Sequence, residues 1–431
     1  MTQDSTAGAS AARPLGRGLN QASILLAIGV FATSMAQPQV LGRLPLQNLL
    51  KNELHVDRTM SSAFFFWAGL AWYFKPLIGV VTDAYPMFGS RRRSYLTIFT
   101  LLATLSWLAL VFLPHHYHVF LVDAVVTNAF MVVASTVIGA YMVEAAQATG
   151  GSGRLSAVRQ LVQQGCFVIL GPIAGFLASI KFGWTAGACA GTMFLLFPAT
   201  LLLVKEQRQP VDGAAVLRKA RQQILDVAQA RTMWAAAGLM ALYYLAPGLT
   251  TAIFYRQQNV LHMNTQQQGF LVFLTGSFGV AAAIAYGYLC RRLALRTLLF
   301  WSLTLGTAVG LLYLDYTTIH KAQMMDSLNG FISTLVELAL MDLAVRSTPA
   351  GSEGMGFALM MSVRNFALYG TDWFGSRLLD KYHYTFNSLV LLNALTTLLA
   401  VPCVFLLSRR IVMAHDAQPP AMVAAPETVL E

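Results

Sequence analysis

The chain contains 431 residues with a mean hydropathy of +0.58, and only 11% of them are charged. A soluble globular protein carries about 25% charged residues, so this composition excludes a soluble chain of this length. The net charge of +10 resides largely in short segments between apolar runs, which excludes a continuous nucleic-acid-binding surface.

The apolar residues occur in runs of about 20, the length of a helix that crosses roughly 30 Å of hydrocarbon. Glycine and proline recur inside these runs, and membrane helices tolerate both. The sequence therefore predicts an all-α polytopic membrane protein with twelve transmembrane helices. The predicted spans are residues 21–41, 60–82, 95–113, 119–143, 155–180, 184–204, 233–255, 269–289, 295–315, 325–347, 354–378 and 385–407.

The longest polar connection separates two groups of six predicted spans. Its second part, AAVLRKARQQILDVAQAR, predicts an amphipathic helix on the cytoplasmic surface. A short sequence similarity relates the two halves: VRQLVQQG at Val158–Gly165 resembles VRNFALYG at Val363–Gly370. We predict a disordered cytoplasmic N-terminus at 1–20, a first half at 21–204, a linker at 205–232, a second half at 233–408 and a cytoplasmic tail at 409–431.

The distribution of positive charge predicts the orientation in the membrane. With a cytoplasmic N-terminus, the inner segments carry 19 lysine and arginine residues and the outer segments carry 8. Cytoplasmic loops of membrane proteins carry an excess of these residues. Both termini are therefore predicted to be cytoplasmic.

The second span ends in KPLIGVVTDAYPMFGSRRRSYL. Its G-x-x-x-D sequence, followed by a glycine and three arginines, resembles the loop between helices two and three of major facilitators. The glycine would let two helices approach closely, and the aspartate could pair with arginine at the membrane boundary. We interpret this segment as a gate; the alternative is a simple positive anchor at the cytoplasmic face. The residues of the motif are Gly79, Asp83, Gly89, Arg91, Arg92 and Arg93.

Together with three further segments, this motif resembles the folate–biopterin transporter family. The segments are LLKNELHV before the second span, AIFYRQQNVLHMNTQQQGFL after the seventh, and RSTPAGSEGMGFALMMSVRN before and into the eleventh. The resemblance covers most of the chain in order. It implies a major facilitator fold, transport of a folate or pterin, and a gating role for Glu353.

The fourth span departs from the family pattern, which is rich in aspartate there. The stretch ASTVIGAYMVEAA retains only the end of that pattern, at Glu144. The missing aspartates could have served cation coupling or substrate binding. Arg364 also stands where the family pattern predicts no arginine.

Charged side chains inside a membrane cost about 2.5–3.5 kcal/mol each on insertion scales, so they tend to mark function or pairing. Lys75 either attracts an anionic substrate, pairs with Asp83 or Glu144, or extends to the inner interface. Arg364 either binds a substrate carboxylate through forked hydrogen bonds or pairs with a carboxylate of the tenth span.

Three carboxylates of the second half are further candidates. Glu337 and Asp342, in the tenth span, are candidates for proton coupling, and the alternative is a static pair with Arg364 or Arg346. Asp372, deep in the eleventh span, is predicted to line the substrate cavity.

Aromatic side chains could stack on a pterin ring, and the alternative for each is packing in the core or at the membrane interface. The candidates are Trp72, Tyr73, Tyr243, Tyr244, Phe254 and Tyr255. The four cysteines show no metal-ligand spacing and are predicted to be packing residues. We expect neither a metal nor a cofactor.

The sequence contains no P-loop, channel-filter or hydrolase motif, so neither a primary pump nor an enzyme is expected. We therefore predict a monomeric, multi-pass secondary transporter, proton-coupled, for an anionic heterocyclic metabolite such as a folate or pterin. Its partners would be the small-molecule anion, the proton and the lipid bilayer. The alternatives are a carrier of another organic anion and a membrane receptor or scaffold that does not transport.

Overall fold

The computed structural model of the protein describes residues 15–149, 152–204, 213–290, 292–349 and 352–412. Short non-α segments follow three of the helices: a π-helical stretch at Leu49–Glu53 and 3-10 turns at Tyr313–Asp315 and Val404–Leu406. The α-helices are α1 Leu15–Met35, α2 Arg43–Asn48, α3 Arg58–Ala68, α4 Leu70–Tyr73, α5 Lys75–Ala84, α6 Arg93–Phe112, α7 Tyr117–Thr149, α8 Ser152–Ala178, α9 Phe182–Phe194, α10 Leu196–Leu203, α11 Gly213–Gln229, α12 Arg231–Tyr244, α13 Thr250–Asn259, α14 Thr265–Leu289, α15 Leu295–Leu312, α16 Ile319–Ser347, α17 Glu353–Asp380, α18 Phe386–Cys403 and α19 Arg409–Val412.

Eight helical stretches of the described chain are long and apolar enough to cross a membrane, and they match predicted spans three to six, eight to ten and twelve. The other four predicted spans fall short for identifiable reasons. The first has a described apolar helix of only Asn20–Met35, the second and seventh are interrupted, and α17 carries five charged residues. The count of twelve spans stays a prediction.

The helices form two halves, α1–α10 and α12–α19. Buried apolar residues between 22 and 204 form one core, which also includes Phe254 and Tyr255, and a separate core draws on residues 227–412. Between the halves, α11 lies inside the predicted linker, of which 205–212 fall outside the described residues. Residues 15–20 are helical as the start of α1, so the prediction of disorder for 1–20 is wrong there. Each residue added to an existing helix gains a hydrogen bond, which favours this extension. Residues 1–14 and, in the predicted tail, 413–431 lie outside the described residues.

The connections between the predicted spans lie at two ends of the molecule. We call the end that contains residues 85–92 and 292–294 the motif end. The opposite end, which contains residues 36–57, 113–116, 260–264 and 381–385, is the far end.

The second predicted span is interrupted and forms three helices, α3, α4 and α5. Pro76 lacks an N–H and cannot bond the carbonyl of Trp72, four residues earlier. The hydroxyl of Ser362 in α17 lies 3.4 Å from that carbonyl, but it lies nearer, at 3.0 Å, to the Ala358 carbonyl of its own helix. The expected continuous helix is therefore wrong, and α17 of the second half packs against the break in the first half.

The seventh predicted span is interrupted as well, between α12 and α13. The Gly248 N–H donates to the carbonyl of Thr371 in α17 at 2.9 Å, and the Asn393 amide donates to the Pro247 carbonyl at 2.9 Å. A Cβ at Gly248 would lie 2.5 Å from the Cα of Asp372, so glycine is needed for this close approach. The proline and the glycine together explain why one predicted span became two helices.

The two halves contact each other most extensively where α8 meets α14 and where α3 meets α17. Glycines bring the α8 and α14 backbones together. A Cβ at Gly171 would lie 2.5 Å from the carbonyl oxygen of Gly269, and a Cβ at Gly175 would lie 2.9 Å from the Gly269 Cα. Small residues permit such direct backbone packing between membrane helices.

Candidate functional site

Arg92 links three segments of the first half at the motif end. Its side chain is 5% exposed; Nη1 lies 2.7 Å from Asp83 Oδ1 at the end of α5, and Nη2 lies 2.7 Å from Glu144 Oε1 in α7. Arg91 lies 3.8 Å from the same Asp83 oxygen. Both carboxylates that the sequence offered as partners of Lys75 are thus bound by arginine.

The remaining motif residues play different parts. Gly89 has a φ of 75°, a left-handed conformation that glycine adopts without strain. A Cβ at Gly79 would lie 3.6 Å from Thr136 Cγ2, an ordinary contact, so the expected close approach of helices there is not observed. Arg93 is exposed. Glu353 opens α17, but its side chain lies outside the described part of the structure.

A comparable link joins α14 and α16 at the motif end of the second half. Asp342 accepts a hydrogen bond from Arg346 Nε at 2.7 Å and another from the Tyr286 hydroxyl at 3.2 Å. Arg346 is one of the two arginines that the sequence analysis named as partners in the alternative to proton coupling at Asp342. The two halves therefore each carry a buried or half-buried arginine–carboxylate pair at the same end.

We predict that Arg92→Ala lowers the free energy of unfolding by about 1–3 kcal/mol, because Asp83 and Glu144 each lose a charged hydrogen-bond donor. The melting temperature of the purified protein should fall by about 2–12 °C, at 2–4 °C per kcal/mol for a unit the size of one half. Arg93→Ala is the matched control, since that neighbouring side chain is exposed. Equal melting temperatures for the two variants would refute this role for Arg92.

Arg364 lies in the middle of α17 and is held by side chains from two other helices. It forms an ion pair with Glu337 of α16, and its Nε donates to the Tyr244 hydroxyl of α12 at 3.0 Å. Its Nη1 lies 3.1 Å from the Asn365 amide oxygen. The Arg364 side chain is 19% exposed and that of Glu337 is 37% exposed, so the carboxylate faces an accessible space.

Lys75 stands at the start of α5, on the first half. Its ammonium lies 3.3 Å from the Ser135 hydroxyl and 5.2 Å from the centre of the Trp72 ring. Arg159 of α8 is near enough to repel that ammonium. Among the residues that the structure describes, Lys75 forms no ion pair, so this region carries positive charge beyond what nearby carboxylates neutralise.

Four of the six aromatic candidates lie near these charges. The rings of Tyr243 and Tyr244 are edge-on with centres 4.9 Å apart, and the Trp72 Nε1 donates to Asn128 at 2.7 Å. Tyr73 donates its hydroxyl to the Phe66 carbonyl at 2.8 Å. Tyr244 and Trp72 thus flank Arg364 and Lys75, respectively.

Phe254 and Tyr255 lie elsewhere, in the far-end contact between the halves. Both are buried, and the Tyr255 hydroxyl donates to the Val56 carbonyl at 2.6 Å. The Lys51 ammonium lies 5.1 Å from the Tyr255 ring centre. Their prediction as cavity residues is therefore corrected to one of packing, because α13 carries them towards the far end.

Asp372 is not on an open cavity wall, as predicted, but buried with its side chain 4% exposed. It accepts hydrogen bonds from the Thr251 backbone N–H at 3.0 Å and from the Thr251 hydroxyl at 2.6 Å. A carboxylate at the N-terminus of α13 satisfies free amide groups and the helix dipole. Arg43 of the first half lies 3.6 Å away, so this cap also forms an ion pair between the halves.

Asp380, at the end of α17, forms a second link between the halves at the far end. Its carboxylate accepts bonds of 2.9 Å from Arg58 Nε and from both the N–H and the hydroxyl of Thr59. Sequence reasoning did not select Arg43, Arg58 or Asp380. Each lies near the end of a predicted span. At such a position, the sequence does not distinguish a charged residue that forms an ion pair from one that is simply solvated.

A cavity of about 580 Å³ lies at the far end, between residues 48–52 of the first half and residues 258–265 of the second. Its lining is largely polar and includes Lys51, Gln258 and Asn264. None of the predicted site residues lines it.

Solved transporters share the overall fold of this chain. The structure of a D-xylose–proton symporter superposes with a TM-score of 0.65 at 12% identity, covering 91% of this chain and 98% of that one. A nucleoside transporter matches with a TM-score of 0.65 at 12% identity, over 91% and 99% of the respective chains. The protein therefore has the fold of major facilitator transporters, with several helices long and apolar enough to cross a membrane.

The chain belongs to the BT1 family, whose model matches residues 38–424. It is 25% identical over 390 residues to a folate-biopterin transporter of Synechocystis sp., covering 85% of this chain and 78% of that protein. It is 24% identical over 376 residues to probable folate-biopterin transporter 2 of Arabidopsis thaliana, covering 80% and 73%. The predicted family is thus confirmed, and both the family and the structural neighbours are transporters rather than enzymes.

Proposed function

We propose that this protein is a proton-coupled secondary transporter of an anionic heterocyclic metabolite, such as a folate or pterin. It works by alternating access as a monomer with twelve spans and both termini in the cytoplasm. The observation that carries the proposal is the Arg364–Glu337 ion pair, which joins helices α17 and α16 and faces an accessible space. Curated relatives bear folate-biopterin transporter names, which supports this choice of substrate class.

The ion pair offers a direct route to coupling. A proton that binds a Glu337 oxygen neutralises the carboxylate and weakens its hold on the Arg364 guanidinium. The guanidinium can then form a forked pair with a substrate carboxylate, which replaces the lost partner. After reorientation the substrate leaves, Glu337 releases the proton, and the original ion pair forms again.

Other side chains support binding of an anion with a flat ring. Lys75 and Arg159 give the region a positive potential that attracts an anion. Tyr244 already lies beneath the Arg364 guanidinium, with 5.3 Å between the guanidinium carbon and the ring centre. Its ring and that of Trp72 offer aromatic faces for stacking.

The far-end contacts support alternating access. Ion pairs of Arg43 with Asp372 and of Arg58 with Asp380 join the halves at that end. At the motif end, the pairs of Arg92 and Arg346 each lie within one half. If the far end faces outward, as the charge distribution predicts, this arrangement corresponds to a state closed to the outside.

The experiment is uptake into proteoliposomes that contain the full-length protein. Labelled folate and a labelled pterin are supplied with and without an inward proton gradient. We expect accumulation above equilibrium only with the gradient. Uptake that only equilibrates, with or without the gradient, would contradict proton coupling.

Failure to transport either compound, by protein shown to be folded, would contradict the substrate class. Accumulation of a different organic anion in a competition screen would then identify another carrier. Stoichiometric binding without turnover would favour a receptor or scaffold.

A further inference from the structure

Asp326 of α16 is a buried carboxylate without a cationic partner. It is 7% exposed and accepts hydrogen bonds from the Tyr313 hydroxyl at 2.6 Å and the Tyr316 hydroxyl at 2.9 Å. The two rings stack at 5.3 Å between centres. Within the described chain Asp326 forms no ion pair, and it lies outside the Arg364 cluster. A buried carboxylate is costly, so its position calls for a role.

A chain of polar side chains leads from Asp326 to the other half of the molecule. The Gln257 amide donates to the Tyr316 hydroxyl oxygen at 2.9 Å, and the Gln268 amide donates to Gln257 Oε1 at 3.2 Å. The Gln258 amide donates to Gln268 Oε1 at 3.2 Å. The Lys51 ammonium, in the first half, donates to Gln258 Oε1 at 2.8 Å.

The two ends of this chain fix the direction of every bond within it. An ammonium can only donate and an ionised carboxylate can only accept, so each amide and hydroxyl between them must donate towards Asp326. Bonds aligned in this way polarise and strengthen one another in a low-dielectric interior. Gln257 and Gln268 are buried, which keeps water from replacing the inner part of this hydrogen-bond chain.

The chain ends at a contact that closes the far end. Lys51 bonds to both Gln258 and, at 2.5 Å, the Asn259 side chain, and so it joins the first half to α13 of the second. Neutralising Asp326 would remove the terminal acceptor that orients all three glutamines. The hold of Gln258 on Lys51 would weaken, although Asp326 itself touches neither residue.

We propose that Asp326 is a positioning residue for transport: through Tyr316, Gln257, Gln268 and Gln258 it stabilises the Lys51 contact that holds the far end closed. The R-Q-Q-N and Q-Q-Q segments around the end of α13 and the start of α14 supply the amides of this chain. The proposal depends neither on the identity of the substrate nor on the coupling ion.

The test measures far-end closure in the full-length protein without substrate. Spin labels are placed on cysteines at His116 and Gln266, two exposed positions at the far end of opposite halves, in a cysteine-free background. Pulsed electron resonance then gives the ratio of short to long distances, which reports closed and open populations.

We expect Asp326→Asn and Tyr316→Phe each to lower the closed-to-open ratio at least about tenfold, since each removes a hydrogen bond to a charged group or breaks the chain beside it. Gln268→Met interrupts the hydrogen-bond chain and leaves the Asp326 carboxylate unchanged. It should also lower the closed-to-open ratio. It keeps the proposal testable if Asp326→Asn does not fold.

Tyr313→Phe is the matched control, because it also removes a tyrosine bond to Asp326, of 2.6 Å, but one that lies outside the hydrogen-bond chain. Its closed-to-open ratio should stay within about threefold of the parent. Equal effects of Tyr313→Phe and Tyr316→Phe, or no effect of Gln268→Met, would overturn the proposal.

A double-mutant cycle with Lys51→Met separates coupling from a local structural role. If the hydrogen-bond chain couples Asp326 to Lys51, the effects of the two substitutions are not additive. In the Lys51→Met background, Asp326→Asn should then change the closed-to-open ratio by less than about twofold. Additive effects would show that Asp326 acts only locally and would overturn the inference.

Discussion

Arg364→Ala is expected to reduce proton-driven uptake by about 100-fold or more. The forked bonds of a guanidinium to a carboxylate contribute about 3 kcal/mol, and alanine would remove them from substrate and from Glu337 alike. Arg364→Lys should fall between alanine and the parent, because an ammonium retains the charge but not the planar fork. Initial uptake rates in proteoliposomes, normalised to inserted protein, provide the measurement.

Arg377→Ala is the matched control for this prediction. Arg377 lies on the same helix, is exposed, and contacts the Trp373 ring rather than a carboxylate. It should transport at close to the parent rate. If Arg364→Ala transported as well as Arg377→Ala, the Arg364 pair would be purely structural.

Glu337→Gln should uncouple the proton from the substrate. The amide keeps the shape of the side chain but does not exchange a proton near neutral pH, and it leaves Arg364 without its ionic partner. Exchange of labelled for unlabelled substrate should persist, while accumulation driven by the gradient is lost. Loss of both activities, or retention of both, would contradict a coupling role for Glu337.

Gly171→Ala is expected to prevent closure of the far end and to reduce uptake at least about tenfold. The added Cβ would collide with the Phe273 backbone nitrogen and with the Gly269 carbonyl oxygen at 2.5 Å. Neither backbone atom can move without displacing α14, and overpacking of this kind costs about 1–3 kcal/mol or more. The same spin-label pair should show longer distances.

Gly165→Ala provides a control on the same helix. A Cβ at Gly165 meets no atom of the described chain within 4 Å. Alanine is favoured over glycine in a helix by about 1 kcal/mol, so this variant should match or exceed the parent in melting temperature. Similar losses of uptake in both variants would show that helix α8 tolerates no substitution and that the α8–α14 contact is not the cause.

The sequence was informative about the charged motif at the end of the second span. It predicted an arginine partner for Asp83, and it included Glu337 among the alternatives for Arg364; the structure contains both pairs. The pairing of Asp83 with arginine could be predicted because the aspartate of G-x-x-x-D and the arginines lie within a few residues of each other. The pairing of Arg364 with Glu337 could be predicted because few carboxylates lie deep in a membrane span.

The sequence was misleading where function depends on the meeting of the two halves. Asp372 appeared to be a cavity residue, but the break at Pro247-Gly248 brings the start of α13 against it and makes it a cap. Asp83 and Glu144 were possible partners of Lys75 in the sequence, but in the structure both pair with Arg92. Asp326 lies inside the tenth predicted span, and nothing near it in the sequence indicates the two tyrosines that bind it.

The amino-acid sequence by itself determined that the protein is a helical membrane protein, which family it belongs to and where most of its apolar helices lie. Run length, charge bias and short motifs report on the local chain and its solvent, and these are sufficient for such conclusions. Only the tertiary structure decided which arginine meets which carboxylate. Those pairs join residues as distant as Arg58 and Asp380, and a hydrogen bond requires atoms within about 3 Å, which only the docking of the two halves can set.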